Sequence, residues 1–276
     1  MKPFFESKEK NFVLYNGDYF KLSEKLKEKV NLVYADPPYF LSSGGNTIHS
    51  GEIVKVDKGE WDKSMSEQEI LNFNREWIEK TLPLMKEDAT LWVSGTAHNI
   101  FSIVFAIKEL GMKLLNVIVW QKTNPPPNFY TKIFKHSTEY IVFARKSKSR
   151  SHFFNHELLK TINEGKRMTD VWTMPSISNF EKTFGKHPTQ KPLSILVRIL
   201  LAGTEKEMIV LDPFAGSCTT GIAANLLGRK FIGFDLEKEF IELGKKRYLE
   251  IQDPKTRSDF KNRINDLSQL NFKIQL

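Results

Sequence analysis

The sequence predicts an α/β fold with a doubly wound, mostly parallel seven-stranded sheet, and three observations lead there. Seven short apolar runs recur along the chain, helical patterns separate most of them, and turn residues bound the runs. The expected strands are Phe12–Tyr15, Val30–Ala35, Thr90–Ser94, Leu114–Trp120, Glu139–Ala144, Met208–Leu211 and Phe231–Phe234. Ser66 with Glu69 makes a capping box that opens a helix running to about Met85. Gly111 closes a helix over His98 to Leu110, and Pro192 precedes another over Leu193 to Leu201. The stretch between Leu114–Trp120 and Glu139–Ala144 has no crossover helix, so those two strands are expected to run antiparallel.

At 276 residues and 40% hydrophobic content the chain can bury a proper core. The 41 Lys+Arg against 33 Asp+Glu leave a formal charge of +8 and a pI near 9.3, which favours a polyanionic partner without identifying it. Cys218 is the single cysteine, so no intramolecular disulfide forms, and no Cys/His cluster has zinc spacing; no metal is expected. Met1 to Lys10 is charged, without the apolar core of a signal peptide, and no run of about 18 apolar residues occurs. A cytoplasmic protein with no membrane partner is expected.

Two segments depart from the α/β pattern within what reads as a single domain over residues 1–276. Phe40 to Ser64 is rich in Gly, Ser and Asn, and a structureless loop of that length in a compact domain is more often functional than idle, so a mobile flap is expected over residues 40–64. Arg145 to Lys186 mixes basic residues with scattered aromatics and lacks a clear period, which reads as a small lobe on the sheet over residues 145–186. Residues 187–250 then form the half expected to bind a cofactor.

Met208 to Glu237 has the pattern of a βαβ unit. A strand ends at Asp212, a tight turn passes through Phe214-Ala215-Gly216-Ser217, a helix runs to Leu227 with Gly228 as its cap, and a second strand ends at Asp235. In doubly wound sheets ligands bind beyond the carboxyl ends of the strands, and an acidic residue about 20 positions past the glycine turn is placed to accept hydrogen bonds from ribose hydroxyls. A nucleoside-like cofactor is therefore expected; the turn lacks the G-x-G-x-x-G pattern of dinucleotide binding. The plainer alternative is a tight turn in which Asp212 caps the following helix. Upstream, Asp36-Pro37-Pro38-Tyr39 ends the Val30–Ala35 run: a carboxylate, two residues without backbone N–H and an aromatic ring form a compact place for a flat, amino-bearing ring.

Asp36-Pro37-Pro38-Tyr39, Asp212-Pro213-Phe214-Ala215-Gly216-Ser217 and, between them, Gly185-Lys186-His187-Pro188-Thr189-Gln190-Lys191-Pro192 together resemble the β-class S-adenosylmethionine-dependent DNA amino-methyltransferases, in which the catalytic motif precedes the cofactor motif. The resemblance spans about Leu14 to Tyr248. It implies a Rossmann-like methyltransferase fold with S-adenosylmethionine as cofactor and double-stranded DNA as partner. It implies that Asp36 and the carbonyl of Pro37 accept hydrogen bonds from the target amine, that Pro38 keeps the turn rigid and that Tyr39 stacks on the extruded base. Phe214, Ala215, Gly216 and Ser217 would line the cofactor beside Asp212, Asp235 would hold its ribose, Thr189, Gln190 and Lys191 would contact its methionine part, and Asp18 would lie near its adenine. The Pro125-Pro126-Pro127-Asn128 loop resembles a family loop near the target pocket.

The family usually continues Gly-Ser-Gly-Thr-Thr, where this chain has Gly216-Ser217-Cys218-Thr219-Thr220. A cysteine is strained if the position needs φ > 0 and harmless if it is already helical; the helical case is expected. Aspartate at position 36 favours adenine N6 over cytosine N4, for which serine is common in the family. The resulting expectation is a sequence-specific adenine-N6 DNA methyltransferase of a restriction–modification system. Its further partners would be a cognate restriction endonuclease and a second copy of the chain. Cytosine-N4 transfer, a non-catalytic binding subunit of the same fold and an RNA substrate are the alternatives.

Overall fold

The computed structural model describes residues 1–40, 46–49, 52–55, 65–127, 132–185 and 189–274. The strands are β1 (Phe5–Glu6), β2 (Phe12–Asn16), β3 (Val30–Ala35), β4 (Asn46–His49), β5 (Glu52–Lys55), β6 (Met85–Gly95), β7 (Lys113–Lys122), β8 (Thr138–Arg145), β9 (Val171–Met174), β10 (Ile209–Asp212) and β11 (Lys230–Asp235). The helices are α1 (Tyr19–Leu22), α2 (Glu67–Thr81), α3 (Ile100–Glu109), α4 (His156–Ile162), α5 (Leu193–Gly203), α6 (Thr219–Leu226), α7 (Lys238–Glu250), α8 (Pro254–Arg263) and α9 (Asn265–Ile274).

Among the described residues the main sheet has nine strands in the order β1-β2-β11-β10-β3-β6-β8-β7-β9, two more than the seven apolar runs predict. All seven runs are strands; the additions are the edges β1 and β9. A strand of two residues and one of four are too short for their pattern to stand out, and both form by pairing with a longer neighbour. The central pairs β2·β11, β11·β10, β10·β3 and β3·β6 are parallel. β8 runs antiparallel to both β6 and β7, as the missing crossover helix predicts.

The sheet is covered on both faces, which is why its central strands read as continuous apolar runs. One face packs against α5, α6 and α7 through residues such as Leu196, Ile222 and Ile241; the other packs against α2 and α3 through Trp77, Ile78, Ile103 and Ile107. α5 is buried along most of its length between sheet and helices, and its one polar stripe, Ser194 and Arg198, turns outward, where Arg198 pairs with Asp266 (2.8 Å). The expected capping box opens α2: the Glu69 N–H donates to Ser66 Oγ (3.3 Å) and the Ser66 N–H donates to Glu69 Oε2 (2.8 Å).

The flap expected at residues 40–64 lies outside the described residues except for Phe40 and the backbone of an antiparallel β4·β5 pair, so that much of the segment is not structureless. Within 145–186, α4 packs beside α5, and β9 joins the main sheet with Trp172 and Met174 buried. The aromatics of this segment largely serve as anchors: His152 and Phe154 pack on Phe143, and Phe180 meets Phe260 edge-on at 5.3 Å.

Candidate active site

Parallel β2, β11, β10 and β3 bring their carboxyl ends to one rim. Asp36 follows β3, Asp212 ends β10 and Asp235 ends β11, so strands that pair side by side deliver three carboxylates to the same place. The chain winds outward in opposite directions from the β10·β3 junction, the switch point at which doubly wound sheets bind ligands. A cleft of about 330 Å³ opens there. It is lined by Asp18, Asp36, Pro37, Pro38, Tyr39, Thr189, Gln190, Lys191, Asp212, Phe214, Ala215, Gly216, Ser217 and Asp235, so every site residue named from the sequence meets in one cavity.

The turn after β10 is built by its own backbone. The Ala215 N–H donates to the Phe234 carbonyl (2.7 Å), and the Gly216 N–H donates to Asp235 Oδ2 (2.7 Å), which ties the two strand ends together. Gly216 has φ 49°, the left-handed region that glycine enters at little cost. Cys218 corrects the expectation from sequence: it is not helical but the left-handed residue that precedes α6, with φ 58° and ψ 30°. The conformation persists because neighbours hold it. Its N–H donates to the Ala215 carbonyl (2.6 Å), the Arg247 guanidinium donates to the adjacent Ser217 carbonyl (2.5 Å), and its fully buried side chain occupies space that Gly244 of α7 leaves open.

Asp212 is the inner carboxylate. It accepts from the Thr220 hydroxyl (2.6 Å) and the Phe214 N–H (3.0 Å), so it braces the turn, but it does not cap α6 as the plainer alternative expects: the N-cap is Cys218, without a side-chain cap bond. Burial pushes its carboxyl up to about 7 against those hydrogen bonds. Asp235 accepts from the N–H groups of Glu237 and Gly216, and burial lifts it to about 6. Asp18 caps α1 by accepting from the Phe20 N–H (2.9 Å), and the neighbouring Gly17 N–H donates to the Asp235 carbonyl (2.8 Å).

The Asp36 carboxylate is held on both oxygens. Tyr39 donates its hydroxyl to Oδ1 (2.8 Å), and the Lys191 ammonium donates to Oδ2 (2.6 Å) and to the Tyr39 hydroxyl (2.9 Å). Burial pushes the Asp36 carboxyl up, and the Lys191 charge only partly offsets it. Burial alone would lower Lys191, but the carboxylates of Asp36 and Glu139 outweigh it and leave the ammonium above its ordinary value. Burial likewise works to raise Glu139, and the ammonium groups of Lys191 and Lys122 overcome it, so its carboxyl lies below the usual range.

Sequence reasoning misses Glu139, Lys122 and an aromatic wall in which Phe73 of α2 meets Phe20 (5.3 Å), Phe40 (5.1 Å) and Phe214 (5.9 Å). On a helix such as α2, a phenylalanine reads as ordinary core. The loop leaving β7 lies on the same rim, because β7 runs in the direction of β6; it exposes Ile133 and Phe134 among Lys132 and Lys135. Pro125, Pro126 and Pro127 begin that loop, whereas Asn128 lies outside the described residues, as do Lys186, His187 and Pro188 of the middle motif.

The family model described as DNA methylase matches residues 30–246, which includes all three motifs. This chain belongs to the DNA methylase family. It is an S-adenosylmethionine-dependent DNA amino-methyltransferase with DNA as its partner. Among related chains, Type II methyltransferase M2.MboI of Moraxella bovis is 48% identical over 265 residues, which covers 96% of this chain and 97% of that one. Type II methyltransferase M2.LlaDCHI of Lactococcus lactis subsp. cremoris is 52% identical over 248 residues, or 89% of this chain and 91% of that one. Among solved structures, the M1.HpyAVI-SAM complex is 30% identical with a TM-score of 0.66, covering 86% of this methylase and 98% of that chain. The PvuII cytosine-N4-specific DNA methyltransferase shares the fold, with a TM-score of 0.72 at 20% identity over 96% of this chain and 95% of that one.

The cleft of this methylase fits such a cofactor. Gln190 Oε1 is buried with no hydrogen-bond partner, as expected of an acceptor reserved for a ligand donor, while its amide nitrogen donates to the Glu181 carbonyl (3.0 Å). Each Asp235 oxygen accepts one backbone N–H and keeps a lone pair for a ribose hydroxyl. Among the described residues no cluster could hold a metal ion, and no helix is long and apolar enough to cross a membrane.

Proposed function

We propose that this methylase modifies the exocyclic N6 of adenine within a specific DNA sequence, as the modification enzyme of a type II restriction–modification system. The carrying observation is a carboxylate, Asp36, largely but not fully buried just past the end of β3 on the rim that the cofactor turn shares. The curated relatives bear the name type II methyltransferase, which supports the system assigned; a cytoplasmic location, a cognate restriction endonuclease and pairing with a second copy of the chain belong to the same proposal.

S-adenosylmethionine, when bound, supplies a methyl group on a positively charged sulfur. The aryl amine is a weak nucleophile because its lone pair is delocalised into the ring. Asp36 and the Pro37 carbonyl accept its two N–H bonds, which favours a pyramidal nitrogen and stabilises the positive charge that develops there as it attacks. The raised affinity of buried Asp36 for a proton suits it to take the one the nitrogen must shed. Pro37 and Pro38 restrict the turn, so the carbonyl and the Tyr39 ring stay in fixed relation. Asp235, Gln190 and the Phe214 wall orient the donor, with Asp18, Thr189, Ala215, Gly216 and Ser217 completing its cradle.

A stacked base cannot reach this cleft, so the target is flipped out of the duplex at a cost of a few kcal/mol, with Tyr39 as the platform that receives it. The segments 40–64 and 145–186 carry sequence recognition in this proposal. Of the basic stretch beginning at Arg145, Lys146 is spent on Glu87 (2.9 Å) and the Met85 carbonyl (2.9 Å), while Lys148 and Arg150 are exposed and free to meet phosphates. Methylation of DNA from a methyl-free host, followed by mass analysis of the nucleosides, tests the assignment. N6-methyladenine is expected. N4-methylcytosine, or transfer to RNA in preference to DNA, would overturn it.

A further inference from the structure

The Asp36 carboxylate presents a difficulty for the proposed chemistry: an ammonium already neutralises the charge that is to stabilise the amine. Lys191 donates to Oδ2 at 2.6 Å and the Tyr39 hydroxyl to Oδ1 at 2.8 Å; each oxygen keeps a lone pair, but an amine sharing the carboxylate with the ammonium meets a like charge as positive charge develops on its nitrogen. Displacing Lys191 outright would strand a buried ammonium, which costs several kcal/mol. A second observation removes that cost. Glu139, the second residue of β8, places Oε2 3.7 Å from Lys191 Nζ, and this oxygen is buried without a hydrogen-bond partner. The other oxygen of Glu139 is fixed by Lys122 Nζ at 2.5 Å, which aims the vacant one at Lys191.

We propose that Lys191 is a two-position cation and that Glu139 is the positioning residue that receives it. The role of Lys191 rests on the assignment of Asp36 to the target amine. In the chain without a target base, Lys191 bonds Asp36 and keeps that buried carboxylate charged. When the amine enters and donates to Asp36, the ammonium moves by about 1 Å, the difference between 3.7 Å and hydrogen-bond length, onto Glu139 Oε2. No charge is created or lost: one N–H···O bond from Lys191 to Asp36 is replaced by one to Glu139, and the freed Asp36 acceptor takes the amine N–H. Lys191 of the middle motif thereby serves the catalytic carboxylate that it faces.

The test is single-turnover methyl transfer to DNA from a methyl-free host, with cofactor affinity measured separately by calorimetry. Glu139→Gln keeps an acceptor for Lys122 and removes the charge that receives Lys191. Transfer is expected to slow at least tenfold while the cofactor dissociation constant changes less than about threefold. Lys191→Met is expected to give the same split, because the lysine acts on Asp36 and not on the donor. Should Glu139→Gln fail to fold, Glu139→Asp retains the charge but draws it back by one methylene, and the same slowed transfer at near-normal cofactor affinity is expected. A folded Glu139 variant that transfers at the wild-type rate would overturn the inference, as would one whose only defect is weaker cofactor binding. Failure of the underlying assignment looks different: there the wild-type protein itself would leave adenine unmodified.

Discussion

Replacing Gly244 with alanine asks how a cysteine is tolerated at position 218. A Cβ at position 244 would lie 2.1 Å from Cys218 Sγ and 2.8 Å from its Cβ, an overlap that the fully buried cysteine cannot escape by turning into solvent. Overpacking of this severity belongs at the upper end of measured costs, about 3 kcal/mol. Alanine in place of glycine in a helix returns about 1 kcal/mol, so Gly244→Ala is expected to destabilise the protein by about 2 kcal/mol. Cys218→Gly relieves a left-handed residue, worth about 1 to 2 kcal/mol, but loses a buried side chain and adds freedom to the unfolded chain. Its net effect is expected within about 1 kcal/mol of zero. In the Cys218→Gly background the overlap is gone, and Gly244→Ala should stabilise by about 1 kcal/mol. Urea denaturation of the four proteins at constant m-value measures the cycle, with an expected coupling of about 3 kcal/mol. Coupling below about 0.5 kcal/mol would refute the account of positions 218 and 244 as one packed unit.

Three further outcomes follow from the site. Burial lifts the Asp212 carboxyl from the ordinary 3.8 to about 7 in the folded protein, so the folded state holds the extra proton; the stability this contributes is fully present below about pH 4 and is lost as pH rises through 7. Relative to Asp212→Asn, the wild type should lose on the order of 3 kcal/mol between pH 4 and pH 8 in denaturation experiments, and a constant difference would contradict the buried carboxylate. Asp235, lifted to about 6, must be ionised to accept two ribose hydroxyls, so cofactor affinity should be flat above pH 7 and weaken about tenfold per unit below 6; calorimetry showing the same dependence in Asp235→Asn would sink that role. Lys148→Ala and Arg150→Ala should weaken DNA binding uniformly across sequences, each lowering the salt slope by about 1, and an unchanged slope in fluorescence anisotropy would remove the pair from the interface.

The central strands were legible because parallel strands buried on both faces must be apolar at successive positions, as Leu32 to Ala35 and Phe231 to Phe234 are. Their carboxyl-end residues were legible for the same reason: once the strands are parallel, Asp36, Asp212 and Asp235 share a rim. β9 was not legible, since Trp172 and Met174 point inward and Val171 and Thr173 outward over four residues, a stretch too short to distinguish from chance. The backbone at Cys218 escaped because a sequence carries no dihedral, and only the packing of Gly244 and Arg247 reveals how it is held. The pairing of Lys191 with Asp36 joins residues 155 positions apart and follows no local pattern; it needed the folded chain. Glu139, first seen only as the start of an apolar run, acquires its importance from the vacant oxygen beside Lys191.

The most direct measurement is methyl transfer and cofactor binding by the Asp36→Asn protein, which keeps the shape of the side chain while removing its charge. The account predicts that no methyl group reaches adenine in single-turnover assays while the protein binds S-adenosylmethionine with an affinity within about threefold of the wild type. Transfer at an undiminished rate would contradict it.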